Sequence, residues 1–203
     1  MSSIAIVKTI CFCGIDVLDV EVQVHMAKGQ PGFTIVGLGD KAVAESKERI
    51  RAVLSTLGII LPPSRITINL APADVIKEGT HYDLPIALGL LVGLGVIHQE
   101  QIENFVSIGE LGLDGTIRSV NGVLPASLYT VNNGKGIICP LDNGPEAAWV
   151  GENAKIVSTD SVAKLISYFK GKIQLPRPQI TTENYIARSN LDMHDVRGQK
   201  TAK

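Results

Sequence analysis

One stretch, Pro62 to Ile97 (PPSRITINLAPADVIKEGTHYDLPIALGLLVGLGVI), limits what this chain can fold into. After the Pro62-Pro63-Ser64 turn, Ile66, Ile68 and Leu70 alternate with Thr67 and Asn69. This is the period-two pattern of a strand with one buried face, Arg65 to Leu70. At the other end, Pro85 to Ile97 is apolar on every side and carries Ile86, Leu88, Leu90, Leu91, Val92, Leu94 and Val96. A helix with no polar face belongs inside a fold. Between them lies a polar loop, Ala71 to His81, holding Asp74, Lys77, Glu78, Thr80 and His81. Asp83 is expected to cap the helix, with Pro85 in the first turn, where a missing N–H costs nothing. A polar loop held between a strand and the N-terminus of a buried helix is a common place for a ligand or a nucleophile in α/β proteins.

The rest of the chain predicts a hairpin followed by alternating strands and helices. Ser3–Phe12 and Asp16–Lys28 read as two antiparallel strands, the second with Val20, Val22 and Val24 on one face. Phe33–Val36 reads as a short third strand. Asp40 is placed to cap a helix whose Ile50, Val53, Leu54 and Leu57 fall at i, i+3, i+4 and i+7, with Gly58 as its stop. On that helix Glu45 and Arg49 form an i, i+4 pair on the exposed side. After a polar link, His98–Asn104, come a strand at 105–108 and a hairpin turning on Asp114-Gly115 as a two-residue loop. Helices follow at 124–131, 145–150 and 161–169, with strands at 136–139 and 155–157. Trp149, the only tryptophan, is expected to pack at the rim of these last units.

The 203 residues suit one domain with extensions, since domains run to about 50–250 residues. Aromatic residues are 4%, so the core is aliphatic and stacking platforms for single-stranded nucleic acid are scarce. The net charge of −1 gives no dedicated DNA-binding surface. It is unevenly spread, −4 over residues 1–170 and +3 over 171–203, which makes the end of the chain a weakly basic, solvated connector. Cys11, Cys13 and Cys139 all fall in strand-like runs, with no CxxC pair and no zinc-type histidine spacing; they read as buried structural thiols in a reducing, cytoplasmic protein. No metal site is expected. The 85–97 run is too short for a membrane span, which takes about 20 residues. Gly37-x-Gly39 suggests a phosphate loop, but no third glycine follows at the dinucleotide spacing and there is no GxxxxGK[ST].

Three blocks, Val36–Leu54 (VGLGDKAVAESKERIRAVL), Asn69–Gly89 (NLAPADVIKEGTHYDLPIALG) and Ser107–Ala126 (SIGELGLDGTIRSVNGVLPA), resemble the N-terminal domain of the magnesium-chelatase-like AAA+ ATPases of the ComM/YifB group. The resemblance covers about residues 3–170. Asp195-Val196-Arg197-Gly198-Gln199 resembles the lead-in to that family's ATPase module. The division implied is a domain at 1–170, then a linker and the start of an AAA+ module at 171–203; the chain is then the N-terminal piece of such a protein or a shortened gene product. The resemblance implies ATP and Mg2+ as cofactors of the full-length protein, with none in this chain. It also implies a ring-shaped homo-oligomer acting with its own AAA+ module, and DNA as what the ring remodels, by branch migration in natural transformation. No membrane partner is expected. The fold expected is α/β (α+β), Lon-protease-domain-like or ribosomal-protein-S5-domain-2-like, with helices packed on a sheet and an N-terminal β-hairpin.

The same blocks are more distantly similar to the proteolytic domain of Lon, which uses a serine nucleophile and a lysine base. In that frame Lys77-Glu78-Gly79-Thr80-His81 places His81 where the nucleophile would stand, and Leu124 and Ala126 where the base would stand. The loop therefore reads as a degenerate catalytic loop with no activated group. The preferred reading is a non-catalytic accessory and assembly domain. On that reading Asp74 and Asp83 cap, Lys77 is a surface loop lysine, Gly79 supplies a turn and His81 is an exposed or partly packed loop residue. Asp74, Lys77, Asp83, Arg49 and Arg51 are candidates for an interface. A peptidase would need Thr80 or Ser119 as nucleophile, with Lys77 or His81 as base. A DNA-contacting module would use Arg49, Arg51, Arg65 and the basic end of the chain.

Overall fold

The computed structural model describes residues 4–14 and 16–180. The expected lead-in at Asp195–Gln199 lies outside the described residues. The architecture is α/β, built on one mixed sheet of seven strands. Strands β1 (Ala5–Cys13) and β2 (Asp16–Ala27) form the expected antiparallel hairpin, running in register from Ala5 opposite Val24 to Cys13 opposite Asp16. The others are β3 (Gly32–Val36), β4 (Arg65–Ala71), β5 (Phe105–Ser107), β8 (Gly136–Pro140) and β9 (Ile156–Thr159). Their order is β3-β4-β2-β1-β5-β8-β9. Only the β1–β2 and β2–β4 pairs are antiparallel; the other pairs are parallel. Two further strands, β6 (Glu110–Leu111) and β7 (Ile117–Arg118), form a small separate hairpin.

The period-two pattern decides what each face carries. From β1, Ala5, Val7 and Cys11 join Val20, Val22 and Val24 of β2 and Ile66, Ile68 and Leu70 of β4 in the larger core. Helices α1 (Asp40–Thr56), α2 (Asp83–Gly93) and α6 (Val162–Phe169) close over that face. Ile10 points the other way and joins Val106, Ile108, Ile137 and Cys139 under α4 (Val123–Asn132) and α5 (Gly144–Ala148). Next to them the back of β1, β2 and β4 is polar: Lys8 pairs with Glu21, Gln23 Nε2 donates to Glu21 at 3.0 Å and Asn69 Nδ2 to Gln23 Oε1 at 3.2 Å.

The structure corrects several local expectations. Helix α2 is shorter than its apolar run. It begins at Asp83 after Tyr82 and stops at Gly93, because Gly95 takes φ +70° and folds the chain back so that the Val96 N–H reaches the Leu91 carbonyl. Val96 and Ile97 are apolar because they reach the core beyond a turn, not because the helix continues. The N-cap of α1 falls on Gly39, one residue before Asp40. The supposed link after His98 contains a one-turn helix, α3 (Gln99–Ile102), closed by the Gln101 side chain accepting from the His98 N–H at 2.8 Å. The 110–118 hairpin turns through three residues, Leu113-Asp114-Gly115, not two. Gly112 N–H meets Thr116 O at 2.9 Å, Gly115 N–H meets Gly112 O at 3.1 Å and Gly115 has φ +86°, a type I turn ending in a left-handed glycine. Cys11 and Cys139 are buried as expected, but Cys13, at the frayed end of β1, is exposed. Trp149 is half exposed. Among the described residues no helix is long and apolar enough to cross a membrane.

Residues 171–180 contain no helix or strand, yet they are attached to the domain: the Arg177 guanidinium donates to the carbonyls of Ala154 at 2.8 Å and Gly151 at 2.7 Å.

The seating of α2 on the sheet depends on a residue with no side chain. A Cβ at Gly89 would stand 2.7 Å from Val24 Cγ2 and 3.5 Å from Val7 Cγ2, and both neighbours are fixed in the core. Gly89→Ala is therefore expected to cost about 1–3 kcal/mol through overpacking, despite alanine's better helix propensity. In a thermal melt this reads as a fall of about 2–4 °C per kcal/mol for a domain of this size.

Candidate functional site

The loop between β4 and α2 is the meeting point of three concavities, and Glu78 lines all of them. One, of about 710 Å³, lies between the loop and α1. The second, of about 660 Å³, lies between the loop, the end of β1 and the start of α4. The third, of about 770 Å³, opens beside Cys13 and Leu18.

Two residues expected as candidates for an interface are inside the protein. Lys77 is 4% exposed, and its ammonium donates to the backbone carbonyls of Pro72 and, at 2.9 Å, Val75. It holds the loop's own backbone together, which is why it is buried without a carboxylate partner. Asp83 is 1% exposed and does not cap its own helix. Its carboxylate receives Arg49 Nε at 2.5 Å and Arg49 Nη2 at 3.2 Å, a bidentate pair, and the Leu111 N–H at 3.3 Å. That one carboxylate ties α1, α2 and β6 together. The hydrogen bond to Asp83 pushes the Arg49 pKa further above its ordinary value. The expected Glu45–Arg49 pair exists at 3.8 Å, but it is the looser of Arg49's two contacts.

His81 is also buried, 7% exposed, against the expectation of an exposed or partly packed loop residue. Its ring lies 4.0 Å from that of Tyr82 and 5.8 Å, edge-on, from that of Phe12. Nε2 meets the Ile10 carbonyl at 3.0 Å. A carbonyl can only accept, so the proton sits on Nε2 and Nδ1 carries the lone pair. Burial lowers the His81 pKa, opposed by the Ile10 contact and the Asp83 charge, so the ring is neutral at pH 7. The backbone on either side is anchored to Gly109: Gly109 N–H donates to His81 O and Leu84 N–H to Gly109 O, both at 3.0 Å. The neighbouring Thr80 points elsewhere, its hydroxyl donating to Glu110 Oε2.

The remaining candidates do not converge on this site. Asp74 is exposed and lines the third concavity. Arg51 is exposed, 3.5 Å from Glu48 and 5.5 Å over the Phe33 ring. Arg65 is exposed at the start of β4. Ser119 lines the second cleft, together with Phe12, Glu110 and Glu146, none of which was singled out from the sequence as a site residue. Glu110 stands in the Gly109-Glu110-Leu111-Gly112 run, next to the glycine that anchors His81, and that adjacency is its one signal in the sequence. Around the Gly37-x-Gly39 turn the nearby cations are committed: Lys41 stands 3.8 Å from Glu45, Arg49 faces Asp83 and Lys77 faces carbonyls. Among the described residues no group of three or more His, Cys, Asp or Glu side chains could hold a metal ion.

Two outcomes follow from this geometry. Arg49→Ala leaves the buried Asp83 carboxylate without its cation, at a cost of about 3 kcal/mol in urea unfolding; Asp83→Ala costs less, because Arg49 is partly exposed and still faces Glu45, and the double substitution costs less than the sum. Folding also depresses the His81 pKa from its ordinary 6.5. The unfolded chain therefore takes up a proton that the folded chain refuses. His81's contribution to stability is complete above pH 6.5 and is lost as pH falls below it, with a slope of at most about 1.4 kcal/mol per pH unit. Unfolding midpoints measured across this window should fall in the native chain, and that part of the slope should vanish in His81→Phe.

Residues 22–143 match the family model described as subunit ChlI of Mg-chelatase, a span running from β2 through the loop and both of its anchoring helices to the turn before α5. The chain is 35% identical over 205 residues to competence protein ComM of Haemophilus influenzae and 35% identical over 202 residues to the uncharacterized protein YifB of Escherichia coli, each alignment covering 99% of this chain. It is 36% identical over 191 residues, 94% of this chain, to an uncharacterized protein of Mycobacterium bovis. Those alignments cover 40%, 39% and 38% of the relatives, so the chain spans about two fifths of the length of the curated proteins it matches. With the family model covering more than half of the chain and similarity to these relatives along nearly all of it, the chain belongs to the magnesium-chelatase-like family of the ComM/YifB kind.

Proposed function

We propose that this chain is the N-terminal accessory and assembly domain of a ComM/YifB-like AAA+ ATPase and performs no covalent chemistry of its own. The observation that carries this reading is the way the loop's chemical groups are already used. The Thr80 hydroxyl donates a hydrogen bond to a carboxylate, the Lys77 ammonium donates to two backbone carbonyls, and the His81 Nε2–H donates to the Ile10 carbonyl. A hydroxyl becomes a nucleophile when a base within hydrogen-bond reach accepts its proton. Neither base that such a peptidase would use is hydrogen-bonded to the Thr80 hydroxyl, since the Lys77 ammonium and the His81 Nε2–H are turned to backbone carbonyls. A peptidase using Thr80 or Ser119 as nucleophile, with Lys77 or His81 as base, is the weaker reading.

On this reading ATP and Mg2+ are bound by a module beyond this domain, and the domain contributes to the ring in which that module works. Remodelling of DNA is then a property of the assembled ring. The similarity to a competence protein supports placing that activity, branch migration, in natural transformation.

Two measurements test the proposal. Incubated with labelled casein and a fluorophosphonate probe, the 203-residue chain is expected to cleave nothing and take up no label; a labelled Thr80 or Ser119 would overturn the non-catalytic reading. Joined to an ATPase module of the ComM type, the domain should shift sedimentation toward rings relative to the module alone. Equal assembly with and without it would remove the accessory role.

A further inference from the structure

The concavity between α1 and the loop, of about 710 Å³, lies where the inward face of α1 turns small and polar. Ser46 follows Val43 by three positions and precedes Ile50 by four, so it stands in the stripe that carries Ile50, Val53 and Leu54 into the core. Ala42, one turn earlier, is also small and lines the same space. The opposite wall is the loop itself, with Val75 and the well-exposed Ile76. Tyr82 lines it from the start of α2.

Two hydroxyls in this concavity are unused by the fold. Ser46 and Tyr82 are 2% and 1% exposed, and both line it. Neither the Ser46 Oγ nor the Tyr82 hydroxyl has a hydrogen-bond partner among the described residues. A buried hydroxyl without a partner is costly, and an oxygen acceptor brought to it removes that cost. Burial also pushes the Tyr82 pKa up, so the phenol keeps its proton and remains a donor. A second set of donors lies at the other end. Helix α1 starts on Gly39 with no side-chain cap, and its ladder opens with the Val43 N–H on Gly39 O at 2.9 Å. The N–H groups of Lys41 and Ala42 therefore have no partner within the helix. They point back along its axis toward Gly37 and Gly39, which close that end of the concavity, and the helix dipole favours negative charge there.

The charges lining the space cancel, with Lys41, Arg49 and Lys77 against Glu45, Glu78 and Asp83. Arg49 is engaged by Asp83 and Lys77 by carbonyls, whereas Lys41 is exposed and only 3.8 Å from Glu45. A phosphate dianion lacks counter-charge here, while a single carboxylate needs only Lys41 and the helix N-terminus. The five residues from Lys41 to Ser46 separate the two sets of donors by about 8 Å of helix rise. We propose that this concavity binds a small organic carboxylate whose chain carries a neutral carbonyl about 8 Å away, the carboxylate at the N-terminus of α1 and the carbonyl at the buried hydroxyls of Ser46 and Tyr82. Val75 and Ile76 cover the stem between them. Two sources share this chemistry, a free acid with an amide or keto group and the C-terminal end of a peptide. The proposal is independent of the assembly role, since the concavity lies within one chain.

The experiment is a calorimetric titration of the intact 203-residue chain. The probes are 5-acetamidopentanoate and the peptide acetyl-Ala-Val with a free carboxylate. The controls are 5-acetamidopentanamide, which has no charge, and pentanoate, which lacks the second acceptor. Saturable binding of a probe, roughly tenfold tighter than either control, is the expected result, and the tighter probe identifies the source. Ser46→Ala and Tyr82→Phe should each weaken that probe roughly tenfold and leave pentanoate unaffected. In the free chain the same substitutions should leave the melting temperature unchanged or raise it, because each removes a hydroxyl that the fold does not use. Absence of binding at millimolar probe, equal affinity for the uncharged amide, or unchanged affinity in both hydroxyl variants overturns the proposal. So does a lowered melting temperature in both variants, which would mean that the hydroxyls already have partners.

Discussion

Asp83 stands at the start of a helix on which every residue from Asp83 to Leu91 is buried. An ionised carboxylate in that position is tolerable only with a dedicated partner. Arg49 supplies it from α1, and the Leu111 N–H adds a donor from β6. This contact sets how α1 lies against α2 and where the small hairpin begins. It therefore also places Glu110 beside Thr80 and Gly109 against the backbone of His81. Leucine and isoleucine burial in α2 contributes about 1.5–3 kcal/mol per side chain as an upper estimate. That burial is not directional; the Arg49–Asp83 fork is, and it fixes which arrangement the apolar contacts stabilise.

In the same loop, the shape of the cleft and the chemistry of its side chains have separate origins. A nucleophile needs a proton acceptor close by and a vacant space in front of it. Here the titratable groups of the loop serve structure: Lys77 braces its own backbone and His81 locks to Ile10. The concavity remains, floored by Phe12 and His81, and its net character is set by three glutamates. Shape and reactivity are separable because the cleft is formed by backbone turns at Gly79 and Gly122, whereas reactivity depends on single side-chain atoms.

Most of the framework was legible in the residues. The alternation in β1, β2 and β4 gave strands and their buried faces, and the i, i+3, i+4, i+7 stripe of α1 gave Ile50, Val53 and Leu54 as core. Patterns of this kind work because burial repeats with the period of the element. Termini were less legible. The apolar run of α2 hid a stop at Gly93, and the turn at Leu113–Gly115 proved one residue longer than its Asp-Gly pair suggested, since helix ends and turns are fixed by hydrogen bonds to particular backbone groups.

The sequence by itself determined the α/β class, the hairpin, the position of the loop and the kinship of the chain, because these depend on hydrophobic period and on ordered blocks of residues. Only the tertiary structure decided what the polar side chains do. Lys77 and His81 looked like loop surface and are buried; Arg49 looked like the outer face of a helix and closes on Asp83; Glu110 and Phe12 line the cleft though neither was chosen from the sequence. A polar residue is placed by its partner, and the partners here, Asp83 for Arg49, Ile10 for His81 and Glu110 for Thr80, lie 34, 71 and 30 positions away in the chain. No local pattern carries such a pairing.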